Sequence, residues 1–360
     1  MRFAVILHAA AILVGCAAQE QEPARDPNPL VTFSGPTMGT QYTVKIVGLS
    51  DRDAADQVHQ AIEQRLNKLD SLLSTYDHAS DVSEFNQSES RQWRHCSVEM
   101  AEVIAEALHV GQVTEGAFDI TCGPLVDLWG FGPDRRTAER IPTEDQIADA
   151  KGRIGLDKLE YQLEPPSVRK GVPNLRIDLS GVAKGYAVDQ IALLLRHARI
   201  ENFMVDVGGE VRAQGVNAEG VPWRIGIEAP LPGVRSVRRV IAVADTGLAT
   251  SGDYRNYFEE AGRRYSHIID PRTGQPIQHR LVSVSVLDPS CARADAFATG
   301  LMVLGPQEGY RIATEHKLAI LMIVKTDAGF FERMTPEFEE ATRPLGDATP
   351  PAHGNAEESP

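Results

Sequence analysis

The stretch LRIDLSGVAKGYAVDQIALLLRHARIENFMVDV, residues 175–207, sets the architecture of this 360-residue chain. Apolar residues recur at every second position of 175–179 and 203–207, which is the period of a strand with one buried face. Between them, residues 185–196 carry apolar side chains at the spacing of one helical face. The stretch therefore predicts a strand, a helix and a second strand, with a glycine-bearing turn before the helix.

The same two periods recur on both sides of this stretch. Before it, they predict a strand at 39–47 and helices at 53–73, 98–114 and 142–153. After it, they predict helices at 292–304 and 306–316, and strands near 211 and at 223–228, 240–244, 262–269, 281–287, 318–325 and 329–332. VGGE (207–210) and ATSGDY (249–254) are predicted as glycine-bearing turns at strand ends. Short strands with helices inserted in groups predict an α+β fold with mixed, largely antiparallel sheets.

The two ends of the chain differ from the middle. Arg2 and the apolar run 3–13 have the layout of a secretory signal, and Leu-Val-Gly before Cys16 resembles a bacterial lipobox. Residues 1–16 are therefore predicted to be a signal peptide with lipidation of Cys16, the alternative being an ordinary signal with an incidental cysteine. Polar, proline-containing residues 17–30 predict a tether, and residues 334–360 a disordered tail. The folded domain is predicted at 31–333, with two lobes.

Composition excludes some classes of function. The formal net charge is −14 at pH 7, so a general nucleic-acid-binding protein, which needs a basic field, is excluded. No GxGxxG follows a predicted strand, which argues against a doubly wound nucleotide site. Besides Cys16, the chain has Cys96, Cys122 and Cys291. No CxxC or Cys/His cluster indicates zinc, so buried thiols, or one disulfide among them, are the expectation.

Asp295 and Thr299 are the first candidate site residues. They lie four residues apart in RADAFAT (293–299), so a helix would present a carboxylate and a hydroxyl on one face. Mg²⁺ prefers oxygen ligands and completes its shell with water or phosphate oxygens, and a carbonyl of the Ser180-Gly181 turn could add a third ligand. Alternatively, Asp295 caps the helix and Thr299 bonds to its preceding turn.

Asp178 and Lys184 lie on either side of Gly181 in the predicted strand-to-helix turn. The acid could accept hydrogen bonds from a ligand and the lysine could neutralise a phosphate, while Gly181 permits a close backbone approach. The alternative is a helix-capping acid and a surface lysine, which the spacing alone favours.

Three ring side chains lie in predicted loops. His267, at a strand end before a Pro-x-Thr-Gly turn, could accept a proton near neutral pH, or be a half-buried histidine bonded to a carbonyl. Tyr76 and Phe118 follow helices, where planar ligands could stack, although core packing also explains Phe118. A Ser-His-Asp triad is poorly supported because no G-x-S-x-G occurs.

Eight motifs, taken in order, resemble the ApbE family of FAD:protein FMN transferases. They are PTMGT (36–40), STYD (74–77), GAFDI (116–120), DLSGVAKGYAVD (178–189), VGGE (207–210), ATSGDY (249–254), HIIDP with TG (267–274) and ADAFAT (294–299). The set spans nearly the whole predicted domain and is more specific than any single motif. Glu210 stands where the family commonly has aspartate, and Ser180 replaces a frequent glycine. Neither departure removes a proposed ligand.

The resemblance implies a site and a fold. The fold is an ApbE-like, T-fold-related single catalytic domain. FAD contacts fall on Met38, Tyr76, Ala117, Phe118, Asp119, Asp178, Lys184 and Ile269. Magnesium falls on the Gly181 carbonyl, Asp295 and Thr299, and His267 becomes the proton acceptor.

The resemblance also implies an activity and a location. The activity is magnesium-dependent transfer of FMN from FAD to a threonine or serine hydroxyl of an acceptor protein, with release of AMP. Acceptors in the family include membrane subunits of sodium- or proton-coupled redox complexes, which suits a lipid-anchored enzyme on the periplasmic side of a bacterial inner membrane. Ala17, however, is not the aspartate that often signals inner-membrane retention. The alternatives are a FAD pyrophosphatase that gives FMN and AMP, and a non-catalytic FAD-binding lipoprotein.

Overall fold

The computed structural model of the chain describes residues 28–132, 141–230, 236–253, 257–260 and 262–343. The predicted signal peptide with Cys16, residues 17–27 of the predicted tether and residues 344–360 of the predicted tail lie outside the described residues.

Most helices begin at a polar residue whose side chain accepts a hydrogen bond from a backbone N–H in the first turn. Asp51, Ser80, Ser97, Thr143 and Ser290 are these N-caps. In chain order the helices are α1 (Arg52–Leu73), α2 (Asp81–Gln87), α3 (Val98–Val113), α4 (Gly123–Leu128), α5 (Glu144–Gly152), α6 (Ala183–His197), α7 (Cys291–Glu315) and α8 (Pro336–Ala341). Gly305, with φ 80°, divides α7 into two helical pieces before Pro306.

The strands are short and pair only in the antiparallel sense among the described residues. They are β1 (Leu30–Thr37), β2 (Thr40–Val47), β3 (Arg94–His95), β4 (Leu159–Leu163), β5 (Pro166–Lys170), β6 (Phe203–Val207), β7 (Glu210–Gln214), β8 (Trp223–Glu228), β9 (Val237–Val243), β10 (Thr246–Gly252), β11 (Tyr257–Glu260), β12 (Arg263–Ser266), β13 (Ile269–Asp270), β14 (Gln275–Pro276), β15 (Leu281–Asp288), β16 (Ala319–Thr326) and β17 (Gly329–Met334).

One eight-stranded sheet, in the order β1-β2-β6-β7-β10-β15-β16-β17, organises the protein. Because side chains alternate along a strand, the residues of the sheet contribute to two cores, one on each face. The first packs on α1, α3, α6 and α7 and forms the helix-side core, which includes Val44, Leu66, Ile104, Val205 and Leu301. The second packs on the β8–β9 hairpin and α8 and forms the hairpin-side core, which includes Val211, Trp223, Ile225, Leu248 and Phe338.

A third, smaller cluster supports the loop that carries His267. It consists of Leu125, Trp129, Ile147, Ala150, Ile154, Tyr265 and Ile269, from α4, α5, β12 and β13. Trp129 also donates from Nε1 to the Gly274 carbonyl at 2.9 Å, which ties α4 to the turn between β13 and β14. The predicted α+β fold, with a largely antiparallel sheet and inserted helices, is confirmed.

Two predicted elements are wrong. Residues 175–179 are not a strand, although Leu175, Ile177 and Leu179 are buried as their alternation indicated. Their backbone bonds to other partners: the Asn86 amide pairs with both the N–H and the carbonyl of Ile177. Conversely, Thr246–Gly252 is a central strand paired with β7 and β15, where the sequence suggested a turn around 249–254.

The predicted tail also begins too early. Pro336–Ala341 is a helix, and its Phe338 has no exposed surface. Thr335 fixes the start of this helix, because its backbone N–H donates to the Ile320 carbonyl and its hydroxyl oxygen accepts from the Ile320 N–H. The folded region therefore extends to at least residue 341, not 333. No helix in the described ranges has the length and apolar character needed to span a membrane.

Candidate functional site

A cavity of about 720 Å³ lies at one end of the main sheet, where the β6–β7 turn meets the beginning of α6. Its walls include Gly208 and Gly209 of that turn, Ser180 and Gly181 before α6, and His267 in the loop after β12. The helix-side core, the hairpin-side core and the third cluster all contribute lining residues. A concave site between packed layers is the usual location of a small-molecule ligand.

Nearly all the predicted site residues meet in this cavity. Those that line it are Tyr76, Ala117, Phe118, Asp119, Asp178, Gly181, Lys184, His267, Ile269, Asp295 and Thr299. They come from positions up to 223 residues apart in the chain, between Tyr76 and Thr299. Seven of the eight sequence motifs, all but PTMGT (36–40), therefore contribute residues to one cavity.

Met38 is the predicted contact that does not line the cavity. It lies in the tight turn between β1 and β2, where φ is 46° at Met38 and 69° at Gly39. Its side chain is partly buried against the helix-side core. The turn is nevertheless close to the cavity wall, because a Cβ added at Gly208 would lie 2.8 Å from Cγ2 of Thr40.

Asp295 and Thr299 lie on α7 and face the turn that precedes α6. A Cβ added at Gly181 would lie 3.2 Å from Oγ1 of Thr299, so the Gly181 backbone and this hydroxyl converge. Thr299 shares a 3.0 Å hydrogen bond with the Ser251 hydroxyl of β10, which fixes its rotamer. The donors are hard oxygens, which suits Mg²⁺. The described residues hold no cluster of three or more His, Cys, Asp and Glu, so a bound ion would also need oxygens from a ligand or water.

Lys184 links two buried carboxylates beside these oxygens. Its Nζ lies 2.9 Å from Oε1 of Glu210 and 3.8 Å from Oδ2 of Asp295. Burial raises the pKa of Glu210 to about 7, because a charged carboxylate is poorly solvated there. Burial also raises the pKa of Asp295. Burial alone would lower the pKa of Lys184, but the charges of Asp295 and Glu210 outweigh it and raise that pKa.

Lys184 is therefore not a solvated surface lysine, because its ammonium is paired with two carboxylates in the cavity wall. Glu210 was not predicted as a site residue, and the only sequence signal for it was the VGGE motif. It is 4% exposed, and its Oε2 has no hydrogen-bond partner. An unpaired carboxylate oxygen in a cavity wall is available to a donor group of a ligand.

Helices α6 and α7 cap each other beside the cavity. Oδ2 of Asp295 in α7 accepts a hydrogen bond from the backbone N–H of Gly185, in the first turn of α6, at 3.1 Å. In return, Oδ2 of Asp189 in α6 accepts from the N–H of Ala292 and the hydroxyl of Ser290 at the start of α7, both at 3.0 Å. Asp295 thus caps a helix, but the neighbouring one and not its own.

Asp178 and Asp119 both use an oxygen for local structure. Oδ1 of Asp178 accepts from the Ser180 N–H at 2.9 Å, which shapes the turn before Gly181. Oδ1 of Asp119 accepts from both the N–H and the hydroxyl of Thr121, at 2.7 and 2.6 Å. Burial raises the pKa of Asp119. Both acids line the cavity.

His267 lies between β12 and β13, half-buried in the cavity wall. Its ring packs edge-on against Phe131, with ring centroids 6.3 Å apart. The charge of His267 acts on Asp253: burial raises the pKa of Asp253, and the positive charges of Arg264, His279 and His267 oppose that shift.

The two predicted stacking rings have different roles. Tyr76 is 68% exposed at the cavity, so one face of its ring is free to stack on a planar ligand. Phe118 is only 4% exposed and packs beside Gly181, where an added Cβ would lie 3.1 Å from Cε2 of the ring. Phe118 therefore mainly supports the Gly181 turn, as the packing alternative proposed.

Comparisons with known proteins agree with one another. Residues 38–322 match the ApbE family. A curated relative from Vibrio cholerae, named FAD:protein FMN transferase, is 44% identical over 338 residues, which cover 93% of this chain and 97% of the relative. A relative of the same name from Escherichia coli K12 is 40% identical over 336 residues, which cover 93% and 95%.

Solved structures give the same result. The flavin transferase ApbE from Vibrio cholerae superposes with a TM-score of 0.80 at 44% identity, covering 87% of this chain and 99% of that structure. The flavinyl transferase ApbE from Pseudomonas stutzeri, in its apo form, superposes with a TM-score of 0.80 at 39% identity, covering 88% and 97%.

Proposed function

This chain belongs to the ApbE family, and from that membership we propose that it is a FAD:protein FMN transferase. In finer detail, we propose that it moves FMN from FAD to a threonine or serine hydroxyl of an acceptor protein and releases AMP. The observation that carries the proposal is the convergence of Asp295, Thr299 and the Gly181 turn in the same cavity as Tyr76 and His267.

The residues fit a magnesium ion. Asp295, Thr299 and the Gly181 carbonyl would hold it, and when bound it supplies positive charge to the phosphate oxygens around the bond that breaks. Hydrogen bonds within the chain already hold the metal-binding side chains in position. Gly185 fixes one oxygen of Asp295, and Ser251 fixes the Thr299 hydroxyl, so the donors need little rearrangement.

The chemical step forms one bond and breaks one. The acceptor oxygen bonds to the phosphorus of the FMN half, and the bond from that phosphorus to the bridging oxygen breaks. AMP leaves with the bridging oxygen and its electron pair. His267 takes the proton of the attacking hydroxyl, as its place in the cavity wall allows. Tyr76 offers a ring surface to a planar part of FAD.

We also propose a location and partners from the sequence. Lipidation of Cys16 would anchor the chain on the periplasmic side of the inner membrane, and residues 17–27 would act as a tether. The acceptors would be membrane subunits of redox complexes at that surface. Fatty-acid labelling that persists after Cys16→Ala would contradict the anchor.

The test is transfer to a protein. Purified protein is incubated with FAD, Mg²⁺ and periplasmic fragments of such subunits, and each fragment is weighed for the addition of FMN. We expect labelling by the wild type. His267→Ala should slow it by about 100-fold or more, the usual effect of losing a general base. Asp295→Ala should abolish the magnesium-dependent reaction with the fold intact.

Matched controls are Asp327→Ala and His316→Ala, which change exposed residues that are not part of the cavity lining. An unchanged rate in Asp295→Ala would remove that residue from the metal site. Release of free FMN and AMP with no labelled protein would indicate a pyrophosphatase. Stable FAD binding without turnover would indicate a carrier.

A further inference from the structure

The β8–β9 hairpin covers only part of one face of the main sheet. Trp223 of β8 donates from Nε1 to the Gln214 carbonyl of β7 at 3.0 Å. Arg239 of β9 pairs with Glu332 of β17 at 2.8 Å. The hairpin therefore reaches from β7 to the β17 edge, with β8 on the β7 side. Beyond β7, the hairpin-side core includes Val47 of β2 and packs against Met204 of β6, so Met204 marks the border of the cover and the rest of β6, β2 and β1 lies outside that core.

The uncovered part of the sheet forms the floor of a groove. Lys45 of β2 is paired in register with Met204 of β6, and Asp206 follows two residues later. All three line the cavity. They alternate with Val205 and its neighbours, which are buried under the helices, so they project from the opposite face of the sheet.

The free edge of β8 forms the wall of this groove. Five consecutive residues, 224–228, line the cavity. Successive side chains of a strand point to opposite sides, so an unbroken run of lining residues means that the strand edge itself borders the cavity. Within the described part of the chain β8 pairs only with β9. Its other edge therefore offers N–H and C=O groups to an extended chain.

In the groove the acidic residues have partners, whereas the basic residues have no ion-pair partner among the described residues. Oδ1 of Asp206 accepts from the Gly209 N–H at 2.9 Å, and Glu228 also has a partner. Lys45 and Arg224 have no carboxylate within ion-pair distance among the described residues, in a chain of net charge −14. Two unpaired cations favour an anionic group on whatever lies in the groove.

The β6–β7 turn connects this groove to the site. Gly208 and Gly209 have φ of 66° and 105°, and a side chain at Gly208 would meet Thr40 and Lys184. The cavity continues around this turn to Lys184, Glu210 and Asp295. The side chain of a bound acceptor residue in the groove could therefore extend past the β6–β7 turn towards the carboxylate oxygens of Asp295.

We infer that the acceptor protein binds in this groove as an extended segment, which pairs with the free edge of β8 and places an acidic side chain near Lys45 and Arg224. The FAD contacts predicted among the lining residues, from Tyr76 to Ile269, do not include Lys45, Met204, Asp206 or residues 224–228, which leaves the groove for the second substrate. The inference rests on the proposed function and adds to it how the acceptor is recognised.

The first test separates the two substrates. The probe is the periplasmic fragment that the wild type labels with FMN. The double variant Lys45→Ala/Arg224→Ala should raise the KM for this fragment by about tenfold or more, the size expected for losing two charged contacts. Affinity for FAD, measured by flavin fluorescence, should stay within about twofold, because a contact to one substrate has no direct effect on the other. The control Arg196→Ala/Lys325→Ala removes two exposed cations outside the cavity lining and should change neither quantity.

The second test addresses strand pairing. Short peptides centred on the labelled residue of that fragment are N-methylated one position at a time and used to compete with the fragment. N-methylation removes a hydrogen-bond donor, so pairing with β8 predicts loss of competition at alternate positions on one side of the labelled residue.

Each other outcome counts against the inference. An unchanged KM for the fragment, a parent peptide that does not compete, or an N-methyl scan without alternation would overturn it and leave the transferase intact. A parallel loss of FAD affinity in Lys45→Ala/Arg224→Ala would assign the groove to FAD. No labelling by the wild type would refute the proposed function itself.

Discussion

Lys170, at the end of β5, is a lysine with 1% of its surface exposed and no carboxylate at ion-pair distance among the described residues. Its Nζ donates to the carbonyls of Phe85, Ser88 and Leu175, at 2.8, 2.6 and 2.9 Å. Burial lowers the pKa of this lysine to about 8. The ammonium joins the end of α2 to the irregular segment that leads to Asp178 and Gly181.

Replacing this lysine by an apolar side chain of similar length is the first prediction. Lys170→Met should lower the free energy of unfolding by about 2–3 kcal/mol, because three buried carbonyls lose their donor and relief of the buried charge offsets only part of that loss. FAD affinity should fall as well, since the variant no longer anchors the Leu175 carbonyl and with it the segment before Asp178. Urea unfolding and flavin fluorescence measure the two effects.

The control is Lys158→Met, because Lys158 also donates to two carbonyls, those of Gly152 and Ile154, but is only partly buried. Equal destabilisation by the two changes would show that burial of Lys170 is unimportant. Unchanged FAD affinity in Lys170→Met would reduce its role to stability alone.

Single residues of the site were predictable to different degrees. Asp295, Thr299 and His267 have side chains that can bind a metal or accept a proton. Their residue types and local spacing were therefore enough to predict them as site residues. The pairing of Lys184 with Glu210 and Asp295 was not predictable, because α6, β7 and α7 meet only in the folded protein. Met38 shows a different limit: its motif matched, but its side chain packs against the helix-side core and is not part of the cavity lining, so its contact with FAD stays a prediction.

At the scale of elements, α6 and α7 pack so closely that an added side-chain atom would not fit between their backbones. A Cβ added at Gly185 would lie 2.3 Å from the carbonyl oxygen of Cys291 and 2.8 Å from Cα of Ala292. Both are backbone atoms, so the helices would have to move apart. The mutual caps of Asp189 and Asp295 span the same contact. Helix separation would therefore move a metal-site oxygen.

Gly185→Ala should destabilise the protein by about 1–3 kcal/mol, the usual effect of overpacking a core. Its magnesium dependence should also shift to higher concentration, because the Asp295 carboxylate moves with α7. Gly152→Ala, at the end of α5, adds the same methyl group where no atom lies within 4 Å. That control should be neutral or slightly stabilising. A Gly185→Ala protein with wild-type unfolding and magnesium dependence would contradict the close contact.

Elements with their own periodicity were predicted well, as the helices α1, α3 and α6 show. The errors occurred where distant partners decide the backbone. Residues 175–179 alternate like a strand, yet the Asn86 side chain takes the place of a neighbouring strand at Ile177. In β10, Gly252 within ATSGDY indicated a turn, but residues 246–252 pair with the distant strands β7 and β15. In both cases the partners are distant in the sequence, so a short stretch of residues does not reveal them.

At the scale of the molecule, the cavity depends on how three apolar clusters meet. Phe118 comes from the helix-side core, Ile225 from the hairpin-side core and Ile269 from the third cluster, and all three line it. A loss of packing in one cluster would therefore change the shape of the cavity even though no ligand-binding residue is replaced. The hairpin-side core is the clearest case, since it holds β8 against the sheet and is closed by α8.

Phe338 of α8 tests this dependence, because it is fully buried in the hairpin-side core. Phe338→Ala should lower the free energy of unfolding by about 3–5 kcal/mol, the usual result of truncating a buried phenylalanine. Phe331→Ala, in β17, is the matched control, since that ring is 57% exposed and should contribute far less. A chain ending at residue 334 should behave like Phe338→Ala, whereas one ending at 343 should unfold like the full chain. Equal stability of the two shortened chains in urea would mean that α8 does not close the core and that the folded domain ends where the sequence had indicated, at 333.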